Sequence, residues 1–96
     1  MNNFLVIRKS YDLEESVESI NIECIISLLE EVKDLEYCED DNTFQYVGSQ
    51  KNFKFRIYSN FGGVVFNFED SMRLIEIALN IANELKASVV MLSYDR

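Results

Sequence analysis

The sequence predicts a single α+β domain over residues 1–96, a two-layer sandwich in which two helical segments cover one face of a mainly antiparallel sheet. A chain of 96 residues can bury one hydrophobic core. Hydrophobic residues make up 48% of it, so its net charge of −8 does not place it among disordered proteins. Strand-like and helix-like segments follow one another in the order β-α-β-β-β-α-β, which is typical of this class.

The first and last strands are predicted from continuous apolar runs at residues 4–7 and 89–92. Such runs are typical of strands that are covered on both faces. We therefore expect the two terminal strands to lie beside or near each other in the middle of a five-stranded sheet. The order of elements favours a ferredoxin-like arrangement with one extra strand.

Three further strands are predicted between the helices, at residues 44–47, 53–58 and 64–68. Turn-forming residues separate them, which indicates an antiparallel meander. In the middle strand Lys54, Arg56 and Tyr58 alternate with apolar residues. One face of this strand is therefore expected to meet water.

The second helix is predicted to start at Asp70 or Ser71, either of which can cap it, and to run to about Lys86 with a wide apolar face. It is expected to pack on the sheet. The first helical region carries two apolar stripes that are rotated by about 100° from each other. This pattern predicts a break near residues 19–21 in a longer helical segment.

Capping residues divide that first region into two predicted pieces. Asp12 and Glu15 could form the capping box of a short first piece. Asn21 could cap a longer second piece that reaches about Glu36. Within this second piece Glu23, Glu30, Glu31 and Asp34 would share one face of the helix.

The charge of the chain is concentrated between Asp12 and Asp41, which hold twelve carboxylates and a single basic residue, Lys33, for a formal charge of −11. The predicted helix would carry acids in its last turns, where they oppose the helix dipole. Since local folding does not favour this arrangement, we interpret it as a docking surface for a cationic partner. A solvated helix face that keeps the protein soluble is the alternative. The candidate partner-binding residues are Glu23, Glu30, Glu31, Asp34, Tyr37, Glu39, Asp40 and Asp41, with Tyr37 as an aromatic anchor.

Several function classes are disfavoured by the composition. The chain has no histidine, which excludes a Ser-His-Asp or Cys-His nucleophile and a histidine-ligated zinc ion. Cys24 and Cys38 match no metal-binding or redox spacing. No enzyme activity, cofactor or metal site is therefore predicted. The apolar runs are too short to span a membrane and the N-terminus does not resemble a secretory leader, so we expect a cytoplasmic protein.

An RNA-binding interpretation comes from residues 51–58, which partly resemble the ribonucleoprotein consensus of RNA recognition motifs. If Phe53 and Phe55 faced solvent on a helix-free sheet face, they could stack on bases. The overall negative field would repel phosphate, and core packing of both rings is the competing interpretation. The row of Lys54, Arg56 and Tyr58 is a second possible contact surface. A small α+β module that binds a small molecule or forms a homodimer also stays open.

Small size, local acidity, missing catalytic residues and a compact α+β pattern together resemble the immunity proteins that bacteria carry against nuclease toxins, including those of contact-dependent inhibition systems. The resemblance implies a stoichiometric inhibitor that binds a cognate basic toxin protein in the cytoplasm. It implies no contact with a membrane and no direct contact with nucleic acid. The alternative is a phage-type inhibitor that imitates DNA with the same acidic residues.

Overall fold

The computed structural model describes residues 3–33, 35–40, 43–48, 54–69 and 72–93, and over these residues the chain forms six strands and two helices. The strands make one antiparallel sheet in the order β2-β3-β4-β5-β1-β6. This confirms the predicted α+β class and the antiparallel sheet. In chain order the elements are β1 (Asn3–Arg8), α1 (Ile22–Glu30), β2 (Leu35–Asp40), β3 (Thr43–Gly48), β4 (Lys54–Asn60), β5 (Gly63–Phe68), α2 (Met72–Leu85) and β6 (Ser88–Ser93).

Both helices cover the same face of the sheet. That face carries Leu5 and Ile7 of β1 and Phe55 and Ile57 of β4, which are buried in one cluster with residues of both helices. α1 packs on β5, whereas α2 packs on β1 and β6. Lys54 and Arg56 lie on the other face of β4 and are exposed. The predicted alternation of this strand is therefore confirmed.

The first helix is shorter than the sequence predicts, and the segment after it is a strand. α1 ends at Glu30, with Glu31 as its C-cap, rather than near Glu36. Residues 35–40 form β2, which pairs with β3 and places Tyr37 opposite Tyr46. Cross-strand aromatic pairs stabilise a sheet, whereas a longer helix would have added carboxylates at the negative end of its dipole. Tertiary pairing therefore outweighs the helical pattern of this segment.

The ferredoxin-like arrangement of five strands is not found. β1 and β6 are neighbours, as predicted, but β6 lies at an edge of the described sheet and not in its middle. The meander explains this difference, because each of β3, β4 and β5 pairs with the strand before it. β5 then returns to pair with β1. The unpredicted β2 is thereby left at the far edge.

The predicted short helix that starts at Asp12 is absent, and the described segment between β1 and α1 is irregular, with a turn at residues 13–14. Arg8 explains why. It is buried, and its guanidinium donates hydrogen bonds to the carbonyl oxygens of Ser10, Asp12, Glu15 and Phe61. Carbonyls that accept from Arg8 are satisfied without a helix.

The second predicted capping residue is confirmed. The side-chain Oδ1 of Asn21 accepts a hydrogen bond of 2.9 Å from the backbone N–H of Glu23, so Asn21 is the N-cap of α1. α2 covers Met72–Leu85, in agreement with the predicted second helix. The cap proposed for it, Asp70 or Ser71, lies outside the described residues.

Candidate partner-binding surface

Helix α1 presents its acidic residues to solvent. Glu23, Ser27 and Glu30 follow one another at i, i+4 and i+7, so they lie along one side of the helix. The side chains of these three residues are exposed, as is Glu31 at the C-cap. Glu23 lies in the first turn, whereas no basic residue lies in the last turn. α1 thus ends with two carboxylates beside its negative pole.

The cations among the described residues do not neutralise these acids. Across the described parts of the chain, Glu23, Glu30 and Glu31 form no salt bridge with a lysine or arginine. The ion pair seen there instead joins Arg73 Nη1 to Glu76 Oε1 at 3.0 Å on α2. The three carboxylates of α1 therefore remain available to a cation outside the molecule.

A row of aromatic rings runs from the β2 edge into the core. Tyr37 of β2 lies edge-on to Tyr46 of β3, with ring centroids 5.4 Å apart. Tyr46 stacks on Phe55 of β4 at 5.4 Å, and Phe55 stacks on Phe66 of β5 at 5.6 Å. Tyr46 is 3% exposed and Tyr37 is 52% exposed. Tyr37 is thus a half-exposed ring whose inner edge rests on the core.

Phe44 extends this aromatic area and was missed by sequence reasoning. Its ring centroid lies 6.4 Å from that of Tyr37, and 36% of the residue is exposed. Phe44 and Tyr46 are two residues apart on β3, so both lie on the helix-covered face. Recognition of β2 in the sequence would have paired residues 35–40 with 43–48 and placed Tyr37 beside Phe44.

Tyr46 couples α1 to the β2 edge electrostatically. Burial is the first cause that raises the pKa of Tyr46 above its ordinary value of 10.0, and the negative charges of Glu30 and of ionised Tyr37 raise it further. We call Glu23, Glu30, Glu31, Tyr37 and Phe44 together the α1–β2 surface.

The acidic face of α1 ends with Glu31, because the helix ends at Glu30 and not near Glu36 as predicted. Asp34 and Asp41 lie outside the described residues. Glu39 and Asp40 belong to β2 and not to a helix extension or a loop. Alternation along β2 places Glu36, which is exposed, on the face opposite Tyr37. Charges on an edge strand discourage pairing with the sheet of another molecule. The acids of β2 can therefore also serve to prevent aggregation.

The helix-free face of the sheet has a different character. Gln45, Arg56 and Asn67 lie side by side on β3, β4 and β5. Arg56 Nε donates a hydrogen bond of 3.2 Å to Gln45 Oε1. Together with Lys54 and Glu69 they line a shallow pocket of about 140 Å³. This pocket is polar and partly basic, unlike the α1–β2 surface.

The base-stacking interpretation is wrong for Phe55. This ring is 1% exposed and belongs to the core beneath the helices, so it cannot stack on a base. Phe53, the other ring of that interpretation, lies outside the described residues. The basic and polar side chains of the helix-free face are thus present without an exposed ring from β4.

The α1–β2 surface can bind a partner through charged and aromatic contacts. Over the described residues no three His, Cys, Asp or Glu side chains converge to hold a metal ion. Cys24 is an exposed free thiol on α1. No helix in the described parts of the chain is long and apolar enough to cross a membrane.

Neither family models nor curated proteins nor solved structures match this chain.

Proposed function

We propose that the α1–β2 surface docks on a basic protein domain and that the chain is an immunity protein, an inhibitor that blocks the active site of a cognate toxin, a nuclease, in the cytoplasm. The observation that carries this proposal is that the exposed carboxylates at the end of α1, which have no internal ion pair among the described residues, are followed in the chain by β2, an edge strand on which Tyr37 is half-exposed beside Phe44. Aromatic residues are enriched at the centres of protein interfaces, where they account for much of the binding energy.

The acidic and the aromatic residues of the surface would have different effects on binding. Glu23, Glu30 and Glu31 would accelerate the encounter with a positively charged groove, and salt would weaken this effect. Tyr37 and Phe44 would slow dissociation, because a large ring supported by the core can fill a pocket of the partner with little loss of conformational freedom. Inhibition would then be stoichiometric and would need no catalytic step.

A protein partner is favoured over direct imitation of DNA. A DNA mimic needs a long row of charges that follows the phosphates of a duplex, which carries one charge per about 1.7 Å. The described part of α1 presents Glu23 and Glu30 about 10 Å apart along the helix, with Glu31 following at its end. The neighbouring rings Tyr37 and Phe44 have no counterpart in a phosphate backbone but suit a protein pocket.

The test captures the partner from the native host with the full chain as bait and then assays it. We expect a basic protein whose ribonuclease or deoxyribonuclease activity is lost when an equimolar amount of this protein is added. The triple variant Glu23→Gln, Glu30→Gln, Glu31→Gln should bind about tenfold more weakly, mainly through slower association and with a flatter salt dependence. Tyr37→Ala should instead dissociate faster, by about tenfold or more.

A matched control separates the surface from net charge. Glu14, Glu18 and Glu69 are exposed and lie outside α1, so their change to Gln alters the net charge by the same amount. This control should bind like the parent protein. If both triple variants bound the partner equally weakly, the binding would depend on net charge and not on the α1–β2 surface. A captured partner that is neither toxic nor inhibited would contradict the immunity function itself.

A further inference from the structure

The β6 edge offers an uncharged strand for pairing. β6 pairs with β1 on one side, and no strand among the described residues pairs with it on the other. None of the six residues Ser88–Ser93 is charged, and Pro and Gly are absent from them. Met91 is 48% exposed. Natural edge strands are usually protected by charges, proline or a bulge, so an edge of this composition indicates a partner.

Helix α2 carries an apolar side next to the same edge. The residues of α2 that line the groove toward α1 are Arg73, Ile77, Asn80, Ile81 and Glu84. On a helical wheel of α2, the mean position of Met72, Ile75 and Leu79 is about 150° away from the mean position of the residues that line this groove. Since α2 packs on β1 and β6, this second side overlooks the β6 edge. Met72 is 77% exposed and Leu79 is 53% exposed.

Two copies of this patch fit each other by symmetry. A two-fold axis perpendicular to the sheet keeps every side chain on its own face. The β6 strands of two copies can therefore pair antiparallel across this axis, with Val90 opposite Val90 of the second copy and Val89 opposite Met91 of the second copy. Strands are about 4.8 Å apart, and α2 lies over β1 and β6. The two α2 helices would therefore run about 10 Å apart, which is the ordinary distance for packed helices.

Charge restricts where a second copy can dock. Each chain carries a net charge of −8, so two copies repel each other over most of their surface. The β6 strand is a place where they can approach without bringing carboxylates together. A cationic partner would gain nothing there and is expected at the α1–β2 surface instead. We propose that β6 and the Met72, Ile75 and Leu79 side of α2 form a two-fold homodimer interface with a continuous sheet.

The experiment measures molar mass in solution by sedimentation and light scattering from micromolar to millimolar concentration. The full chain should be a dimer. Leu79→Lys and Met91→Lys should each raise the dimer dissociation constant by about tenfold or more, because each places two like charges near the two-fold axis. Asn80→Lys is the matched control, since it adds the same charge at the neighbouring exposed position on the α1 side of α2.

Each outcome supports or contradicts the proposal. Dimeric parent and Asn80→Lys proteins with monomeric Leu79→Lys and Met91→Lys proteins support it, provided that thermal unfolding shows all four to be folded. A parent protein that stays monomeric up to millimolar concentration contradicts it, as does a dimer that both lysine variants leave intact. The interface is independent of the α1–β2 surface. A monomeric Leu79→Lys protein should therefore still bind the basic partner, and failure of one proposal leaves the other standing.

Discussion

The two edges of the described sheet differ in almost every property that governs contact with other molecules. The β2 edge carries Glu36, Glu39 and Asp40 in its sequence and lies beside the acidic end of α1. The β6 edge carries no charge and lies beside an apolar side of α2. Charges prevent an edge from pairing with its own copy, whereas a neutral, apolar edge invites it. We infer that the molecule keeps one edge for a cationic partner and the other for a second copy.

The edges also differ in how they are tied to the core. β6 and β2 each pair with one neighbouring strand over six residues, but β6 also lies under α2. β2 pairs with β3, and it reaches the core through Leu35 and through the aromatic row that begins at Tyr37 and continues through Tyr46 to Phe55. Tyr46 is the buried ring of this row, and we expect the β2 edge to depend on it more strongly than the β6 edge does.

The largest expected effect comes from removal of that ring. Tyr46→Ala should lower the free energy of unfolding by about 3–5 kcal/mol, because it leaves a cavity between Tyr37 and Phe55. Urea denaturation measures this change. Tyr11→Ala is the matched control, since Tyr11 is largely exposed and its loss should cost less than about 0.5 kcal/mol.

Hydrogen exchange of the same variant compares the two edges directly. In the Tyr46→Ala protein the amides of β2 and β3 should lose protection first, while those of β1 and β6 keep it. A uniform loss of protection over the whole sheet would show that the two edges are not stabilised separately. Tyr46→Phe keeps the ring and should preserve both the stability and the exchange pattern.

Much of this architecture is predictable from the sequence, and the β2 edge shows why the rest is not. Residues 4–7, 44–47, 64–68 and 89–92 alternate or run apolar as strands do, and they lie in strands. Residues 35–40 hold three acids, which are rare in strands, and they follow a helical pattern without a break. The antiparallel pairing of β2 with β3 over six residues, which places Tyr37 opposite Tyr46, favours the strand.

The candidate site was predictable to a similar extent. Exposure of Glu23, Glu30 and Glu31 follows from helical periodicity, and the structure agrees. The position of Tyr37 beside Phe44 does not follow from helical periodicity, because this contact requires the register of β2 with β3. Sequence patterns thus locate residues on one element, whereas surfaces built from two elements depend on tertiary pairing.

A smaller effect should separate the two ends of α1. Glu30→Gln with Glu31→Gln should raise the free energy of unfolding by about 0.5–2 kcal/mol, because both acids oppose the dipole at the C-terminal end. Glu23→Gln should lower it by about 0.3–1 kcal/mol, since Glu23 lies in the first turn. Urea denaturation at low and high salt measures both changes, and salt should reduce them. Destabilisation by the double variant would mean that Glu30 and Glu31 serve internal contacts.

The smallest effect concerns the titration of Tyr46 and probes how closely α1 approaches the β2 edge. Since burial, Glu30 and Tyr37 raise the pKa of Tyr46 above 10.0, the folded protein holds this proton more tightly than the unfolded chain does. This contribution to stability is complete below about pH 10 and is lost as the pH rises from there through the raised pKa of the folded state.

Glu30→Gln removes one of the causes and should lower the pKa of Tyr46 toward its ordinary value, as measured by tyrosinate absorbance. Glu23→Gln is the matched control on the same helix, and it should leave this pKa unchanged because Glu23 is not among the causes. Docking of a cation on Glu30 should have the same effect as Glu30→Gln. The titration of Tyr46 therefore reports whether a basic partner occupies this part of the α1–β2 surface, and a bound partner that leaves the pKa unmoved would have to lie elsewhere.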